Sequence, residues 1–394
     1  MSVVGMVPGS LGAVVSMAEN VCTIVTAWNP ERSSMTRSGA SSAVSGSTAL
    51  NVALVIPLHG PAGMIGPSAE LCSQLAVEEL NGRLGVLGRQ LRLTVVDGSG
   101  APQEVARQVE ALVAGGKVEA VAGWHISAIR QAVAPRVASR VPYVYSALYE
   151  GGERTPGVFM TGETPGLQLR PAIKWLVQTL SVRRWAVVGD DYVWPRRSAV
   201  RARQYLEDCR AELLDEVFVP LGTADFTDAL HRVARAEADA VLMLLIGDDA
   251  VRFNRQFATL GLDAKCCRLS PLMTEDMLLA SGAAATRDLY SAAGYFESLV
   301  TSSSMDFGAR FVRRFGADAP VLNSLGESCY EALQLLTGLV TRAGCTDVQA
   351  VCAVAEDVEF EGARGRLRLR GNHLRQPVYL ARADGLEFEV LTTL

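Results

Sequence analysis

Phosphate cradles, metal clusters and nucleophile elbows are all missing from this chain of 394 residues. It has no P-loop, no dinucleotide fingerprint, no HExxH and no GxSxG, which closes the common routes to nucleotide, zinc-peptidase and serine-hydrolase chemistry. Histidine is scarce, with only His59, His125, His231 and His373, scattered along the chain. None of the eight cysteines (Cys22, Cys72, Cys209, Cys266, Cys267, Cys329, Cys345 and Cys352) has the CxxC spacing of a zinc site. Basic runs are absent and the formal net charge is -5, so a surface that neutralises nucleic-acid phosphates is not expected. These absences leave a binding protein rather than an enzyme, with no metal and no cofactor.

What is present is an ordinary globular composition, 49% apolar and 20% charged, at a length that favours two domains. Cys72 sits among Leu71, Leu75 and Ala76 at helical spacing, so the thiols read as small free hydrophobes, which suits a reducing compartment. Residues 1–28 are apolar but interrupted by glycine and proline. They lack a basic start, carry Glu19, and give Cys22 a poor lipoprotein context. Residues 31–47 are rich in Ser, Thr, Gly and Arg. A disordered leader over 1–50 and a cytoplasmic protein without a membrane helix are expected.

From residue 51 strand and helix signals alternate. Strands are predicted at 52–56, 91–97, 118–123 and 141–145, with helices at 68–81, 101–115 and 127–140 between and after them. The pattern breaks at a polar stretch, 161–166, and restarts. Helices follow at 167–180, 198–209, 226–236 and 250–260, and strands at 184–189, 213–220 and 240–246. After a strand at 290–296 come helices at 305–315 and 324–343, then short strands at 365–369, 377–381 and 386–391. Such repetition implies an α/β protein of two Rossmann-like lobes with parallel sheets, joined by a three-segment hinge. The first lobe is expected to take 51–163 plus 294–343, and the second 164–293 plus 344–394.

Residues just past the carboxyl ends of such strands line the ligand crevice. Gly123-Trp-His-Ile-Ser127 follows one strand, and Tyr143-Val-Tyr-Ser-Ala-Leu-Tyr-Glu150 runs out of the next. His125 is either pocket wall or loop structure, and Ser127, opening a helix, is a natural N-cap whose hydroxyl also suits a ligand oxygen. No neighbouring carboxylate completes a triad with Ser127. Alternation puts Tyr143 and Tyr145 on one strand face and Val144 on the other. Ala147, Leu148 and Tyr149 complete the stretch. In the second lobe, Gly189-Asp-Asp-Tyr-Val-Trp-Pro195 brings Tyr192 and Trp194 toward the cleft, while Asp190 and Asp191, being adjacent, diverge. Ile246-Gly247-Asp248 ends another strand, with Asp248 either ligand-facing or capping the helix after it. No arginine–carboxylate pair is evident in the cleft segments, so free amino acids rank below neutral ligands.

With these residues in view, the chain resembles the type I periplasmic-binding-protein fold of the leucine/isoleucine/valine-binding superfamily. It is most similar there to the branch of amide-sensing regulators of amidase and nitrile hydratase expression, with the urea- and short-chain-amide-binding proteins next. The pieces that carry the resemblance are Gly123-Trp-His-Ile-Ser-Ala-Ile-Arg130, Tyr145-Ser-Ala-Leu-Tyr-Glu-Gly151, Asp191-Tyr-Val-Trp-Pro-Arg196 and Asn372-His373. The resemblance implies an amide held by Ser127, Tyr145, Tyr192 and an aromatic at 194. His125 and Trp194 stand where the branch has Tyr, and Ala147 where it has Thr, which favours an amide larger or less polar than acetamide. It also implies a partner regulator, an antiterminator or transcription regulator, and a possible homo-oligomer. The alternative reading is the substrate-binding component of an ABC importer for short-chain amides, urea or branched-chain amino acids.

Overall fold

The computed structural model describes residues 49–394. The expected leader, with Cys22, lies outside the described residues except for Ala49 and Leu50, which already belong to the first strand. In chain order the first lobe begins β1 (Ala49–Ile56), α1 (Gly66–Gly82), β2 (Gln90–Asp97), α2 (Pro102–Ala114), β3 (Ala120–Gly123), α3 (Ser127–Val137), β4 (Tyr143–Tyr145) and β5 (Val158–Met160). The second lobe follows with α4 (Leu169–Thr179), β6 (Arg184–Asp190), α5 (Val193–Asp208), β7 (Glu212–Val219), α6 (Thr227–Ala236), β8 (Ala240–Leu244), α7 (Asp248–Thr259), β9 (Cys267–Ser270), α8 (Glu275–Ser281) and β10 (Leu289–Ala293). Then come α9 (Ser302–Phe315), α10 (Ser324–Ala343), α11 (Val348–Ala353), β11 (Glu359–Gly362), β12 (Gly365–Arg370), β13 (His373–Arg375), β14 (Tyr379–Asp384) and β15 (Glu387–Thr393).

Two sheets result, ordered β11-β12-β13-β5-β4-β3-β1-β2 and β15-β14-β10-β9-β8-β6-β7. Within them β2-β1-β3-β4-β5 and β7-β6-β8-β9-β10 are parallel throughout. Their central strands are apolar without alternation, because helices cover both faces: every residue of β3 and β8 is buried, whereas the edge strands β2 and β7 carry polar, part-exposed positions. Both halves share one doubly wound order, and chain order reverses between β1 and β3 in one lobe and between β6 and β8 in the other. The seven cysteines among the described residues are free, with Cys72 and Cys329 buried as expected of small hydrophobes. No helix among the described residues is long and apolar enough to cross a membrane.

The structure corrects the sequence-based boundaries at the end of the chain. Residues 344–394 do not all join the second lobe: β11, β12 and β13 extend the first sheet, and only β14 and β15 pair with the second. The reason is burial. Val358, Ala363 and Leu369 pack with Leu333, Leu336 and Leu339 of α10 in the first lobe's core. Helix α5 starts at Val193, not at 198, because Pro195 falls in the first turn, where a helix needs no N–H. The four-residue β9 and three-residue β5 and β13 were too short to carry a periodic signal.

The chain crosses between lobes at 161–168, 294–301 and 376–378, and a buried ionic hub ties the first two of these together. Glu163 of the first crossing accepts the Gly294 N–H of the second at 2.7 Å. A Cβ on Gly294 would meet the side-chain ends of both Glu163 and Arg364, so a larger residue there would have to displace the hub. Arg364 in the β11–β12 turn reaches Glu331 (Nε to Oε2, 2.8 Å), Glu327 (3.3 Å) and Glu163 (3.4 Å). Glu327 and Glu331 lie one turn apart on α10, which puts both on the face toward Arg364. Three carboxyls around one guanidinium cannot all stay ionised in a dry site. Burial pushes the Glu327 carboxyl well above its ordinary value, with Arg364 opposing and Glu331 and Glu163 reinforcing, so Glu327 holds a proton.

That proton has a pH consequence. The unfolded chain releases it above about pH 4.3 while the native state keeps it, so folding is progressively disfavoured as pH rises beyond that value. Glu327→Gln supplies the neutral form at every pH and is expected to be more stable than wild type at pH 8 and about equal at pH 5, read by urea unfolding. Arg364→Met strands the ionised carboxylates and is expected to cost about 3–5 kcal/mol in the same assay.

Candidate functional site

The cleft lies where the two reversals of strand order face each other. In the first lobe β3 ends at Gly123 with φ +125°, where a Cβ would overlap the backbone of Val55 on β1. Only glycine lets the chain leave β3 there and carry Trp124, His125 and Ile126 across the sheet edge. His125 is buried, and both ring nitrogens are used within the protein. Nδ1 faces the Ile126 carbonyl at 3.3 Å and must carry the hydrogen, because a carbonyl only accepts. Nε2 therefore accepts from the Tyr143 hydroxyl at 2.8 Å. Burial drives the imidazole pKa down to about 3, with the Ile126 carbonyl opposing and nearby Arg130 adding to the fall. His125 is thus a neutral wall and not a charged contact.

Tyr145 donates its own hydroxyl to the His125 carbonyl at 2.6 Å. The proton is spent, and the Tyr145 oxygen presents lone pairs only. Val144 turns the other way into the core beneath α10, as strand alternation requires. The N-cap of α3 is Ile126, so Ser127 is the first helical residue and its hydroxyl does not cap. Ser127 Oγ is buried close to Tyr145 and makes no hydrogen bond of ordinary geometry among the described residues. The first N–H groups of α3 likewise have no partner within the helix, and no side chain caps them. Donors and an acceptor therefore sit side by side.

Sequence reasoning missed Arg130. Its side chain, 3% exposed, pairs with Glu150 at 2.7 Å and Glu153 at 3.3 Å. Its guanidinium lies 5.2 Å from the Tyr145 ring centre and 4.7 Å from that of Tyr149. Contrary to expectation, an arginine–carboxylate cluster does stand in the cleft segments. Two carboxylates face one guanidinium, and Arg130 Nη1 and Glu150 Oε2 have no hydrogen-bond partner among the described residues. The signal was available: Arg130 is flanked by Ile129, Ala132 and Val133 on a buried helix, and a lone cation there needs a partner. Tyr149 bonds His373 of β13, and burial pushes its hydroxyl up to about 12. Ala147 and Leu148 are buried, with the Ala147 carbonyl pressed against Gly162.

Across the cleft, the start of α5 packs against α3, so the lobes stand closed. Burial raises the Tyr192 hydroxyl well above its usual value, and the neighbouring charges that add to this include Asp190 of its own lobe and Tyr145 and Glu150 of the other. Tyr192 therefore lies between the lobes, with Trp194 at 6.1 Å between ring centres. Asp190 and Asp191 diverge as expected. Asp191 is exposed and pairs with Arg196, while Asp190 is fully buried and accepts the Ile246 N–H at 3.0 Å. Burial and the adjacent Asp249 hold Asp190 protonated. Gly247 and Asp248 are placed otherwise than expected: the Asp248 N–H donates to Pro61 of the first lobe at 2.8 Å, and its carboxylate turns to Arg252. Thus His125, Ser127, Tyr145, Tyr149, Tyr192 and Trp194 gather at the cleft, Ile246 braces Asp190, and Gly247 and Asp248 meet the opposite lobe.

A native imidazole with pKa near 3 refuses the proton that the unfolded chain accepts below about pH 6.5. Its stability contribution is intact above that value and is lost as pH falls toward 3. His125→Gln is expected to flatten the decline in urea-unfolding stability between pH 7 and pH 4.5.

A family model described as Periplasmic binding protein matches residues 49–387. The Leu/Ile/Val-binding protein BraC3 of Rhizobium johnstonii is 22% identical over 315 residues, 78% of this chain and 83% of that one. Among solved structures, a solute binding protein of an ABC transporter from Rhodopseudomonas palustris, in complex with 3,4-dihydroxybenzoic acid, superposes with TM-score 0.79. It is 21% identical, over 88% of this chain and 97% of that chain. The substrate binding protein LivJ of a branched-chain amino acid transporter from Streptococcus pneumoniae, in complex with isoleucine, gives TM-score 0.77. It is 17% identical, over 87% of this chain and 99% of that chain. These relatives are binding proteins and not enzymes. Two doubly wound lobes closed over an aromatic cleft, with a family match spanning nearly all described residues, make this chain a member of the periplasmic binding protein family.

Proposed function

We propose that this protein is a solute receptor that closes on one small, uncharged, amide-like molecule and serves as the solute-binding component of an ABC importer. The observation that carries the ligand class is the pairing of Ser127 with Tyr145. The Ser127 hydroxyl and the first N–H groups of α3 are donors, while the Tyr145 oxygen, its proton committed to His125, is an acceptor. A carbonyl oxygen with an adjacent N–H satisfies both. A carboxylate would meet the Tyr145 lone pairs and the excess negative charge of Glu150 and Glu153 around Arg130. Tyr192 and Trp194 supply the opposite wall, and Ala147 leaves the room a hydroxyl-bearing residue would fill. Ligand efficiency limits a four-atom amide to about 6 kcal/mol, tens of micromolar, so a larger amide binds more tightly. The importer role is supported by the ABC-transporter proteins among the relatives.

A second reading keeps the ligand and changes the output. In the cytoplasm, the closed form would act on an antiterminator or transcription regulator of amide- or nitrile-degrading genes. What favours it is that Ser127, Tyr145, Tyr192 and Trp194, the set implied by resemblance to the amide sensors, gather at one cleft. Cell fractionation separates the two: an exported protein supports the importer, a cytosolic one the sensor.

The ligand class is tested by thermal shift with matched pairs, benzamide against benzoate and butyramide against butyrate, alongside urea, acetamide and isoleucine. An amide is expected to raise Tm as its concentration passes Kd while its matching acid does not. Ser127→Ala is expected to weaken the best amide roughly two- to tenfold. Stabilisation by benzoate or isoleucine and by no amide would overturn the reading.

A further inference from the structure

The loop after β1 belongs to the first lobe, yet its tip is seated in the second. Pro61 O accepts the Asp248 N–H at 2.8 Å, a backbone hydrogen bond between lobes that involves no cleft side chain. The seat is shaped for it. Gly247 has φ +51° and ψ -122°, a conformation essentially reserved for glycine, and any Cβ there would overlap the Pro61 carbonyl. Gly222, in the loop after β7, stands on the other side, where an added Cβ would lie 3.6 Å from Pro61 Cγ. The two second-lobe loops are themselves tied: Gly222 N–H donates to Asp249 Oδ2 at 2.6 Å, and Arg252 reaches the Thr223 carbonyl at 3.4 Å. The following turn, Gly63–Ile65, packs against α8 of the second lobe.

We infer that the Pro61 loop is a clasp that holds the lobes shut without any ligand, by docking its carbonyl on the N-terminus of α7 between two glycines. The Asp248 N–H is one of the orphan donors of a helix start, so the bond to Pro61 satisfies a group that water would otherwise serve. Opening the lobes breaks this bond and exposes the Pro61 ring. The clasp therefore raises the ligand-free closed population, and apparent affinity rises with that population for every ligand alike. Pocket side chains act differently, since they set the ratio of affinities between ligands. The clasp does not depend on which molecule the cleft takes.

The test uses ligand-free protein. Asp248→Pro deletes the donor at the first helical position, where proline is well tolerated and no intrahelical bond is lost. Pro61→Gly leaves α7 untouched and loosens the tip instead. Small-angle scattering of ligand-free wild type is expected to fit the closed form, and each variant is expected to show a larger radius of gyration with a cooperative thermal melt retained. Should the thermal-shift panel yield two binding amides, Asp248→Pro is expected to weaken both by the same factor, roughly two- to tenfold. Ligand-free scattering that is open in wild type, or unchanged in both folded variants, would overturn the clasp, as would a loss confined to one ligand.

Discussion

A parallel sheet wound in both directions leaves one place where consecutive strands diverge, and no crossover helix can cover the gap between their carboxyl ends. This molecule contains that place twice, at β1/β3 and at β6/β8. His125 and Ser127 follow β3, Tyr192 and Trp194 follow β6, and Tyr145 and Tyr149 follow β4, the strand next to β3. The cleft is what remains uncovered when two such sheets are joined by three crossings, and the hub around Arg364 ties the first two crossings to α10.

The chemistry of the cleft is governed by where protons already are. His125 is neutral because burial makes its charge costly, and its two nitrogens are committed to Ile126 and Tyr143. Tyr145 has given its hydrogen to a carbonyl. Arg130 is outnumbered by Glu150 and Glu153. Together they leave the Ser127 hydroxyl beside the lone pairs of Tyr145, and Arg130 Nη1 without a hydrogen-bond partner among the described residues. On the proposed reading, a hydrogen-bonding guest without net charge completes that arrangement at the smallest desolvation cost.

Closure adds a second layer, in which backbone does what side chains do in the cleft. The bond between Pro61 and Asp248 joins backbone to backbone across the lobes and uses no side chain of Ser127 or Tyr145. Dividing the work in this way lets one fold change its ligand by altering cleft residues while the motion stays the same, because a population shift needs only a difference between open and closed states.

Hydrophobic periodicity and turn chemistry in the sequence were enough to place most of the alternation of strands and helices and the two-lobed α/β class. These depend on residues near one another in the chain. Tyr143 and Tyr145 shared a face for that reason, and α10 could be read end to end. The destinations of β11 to β13 were decided only in three dimensions, since Leu369 finds its partners on α10, about thirty residues away in sequence. Asp248 read as either a ligand residue or a helix cap because its nearest sequence neighbours are a strand and a helix; its backbone partner, Pro61, lies in the other lobe. Arg364 was invisible as a hub for the same cause, and Arg130, marked as a buried cation by its apolar neighbours, could not be matched to Glu150 and Glu153. A buried charge is defined by what surrounds it, and packing, not order along the chain, chooses those surroundings.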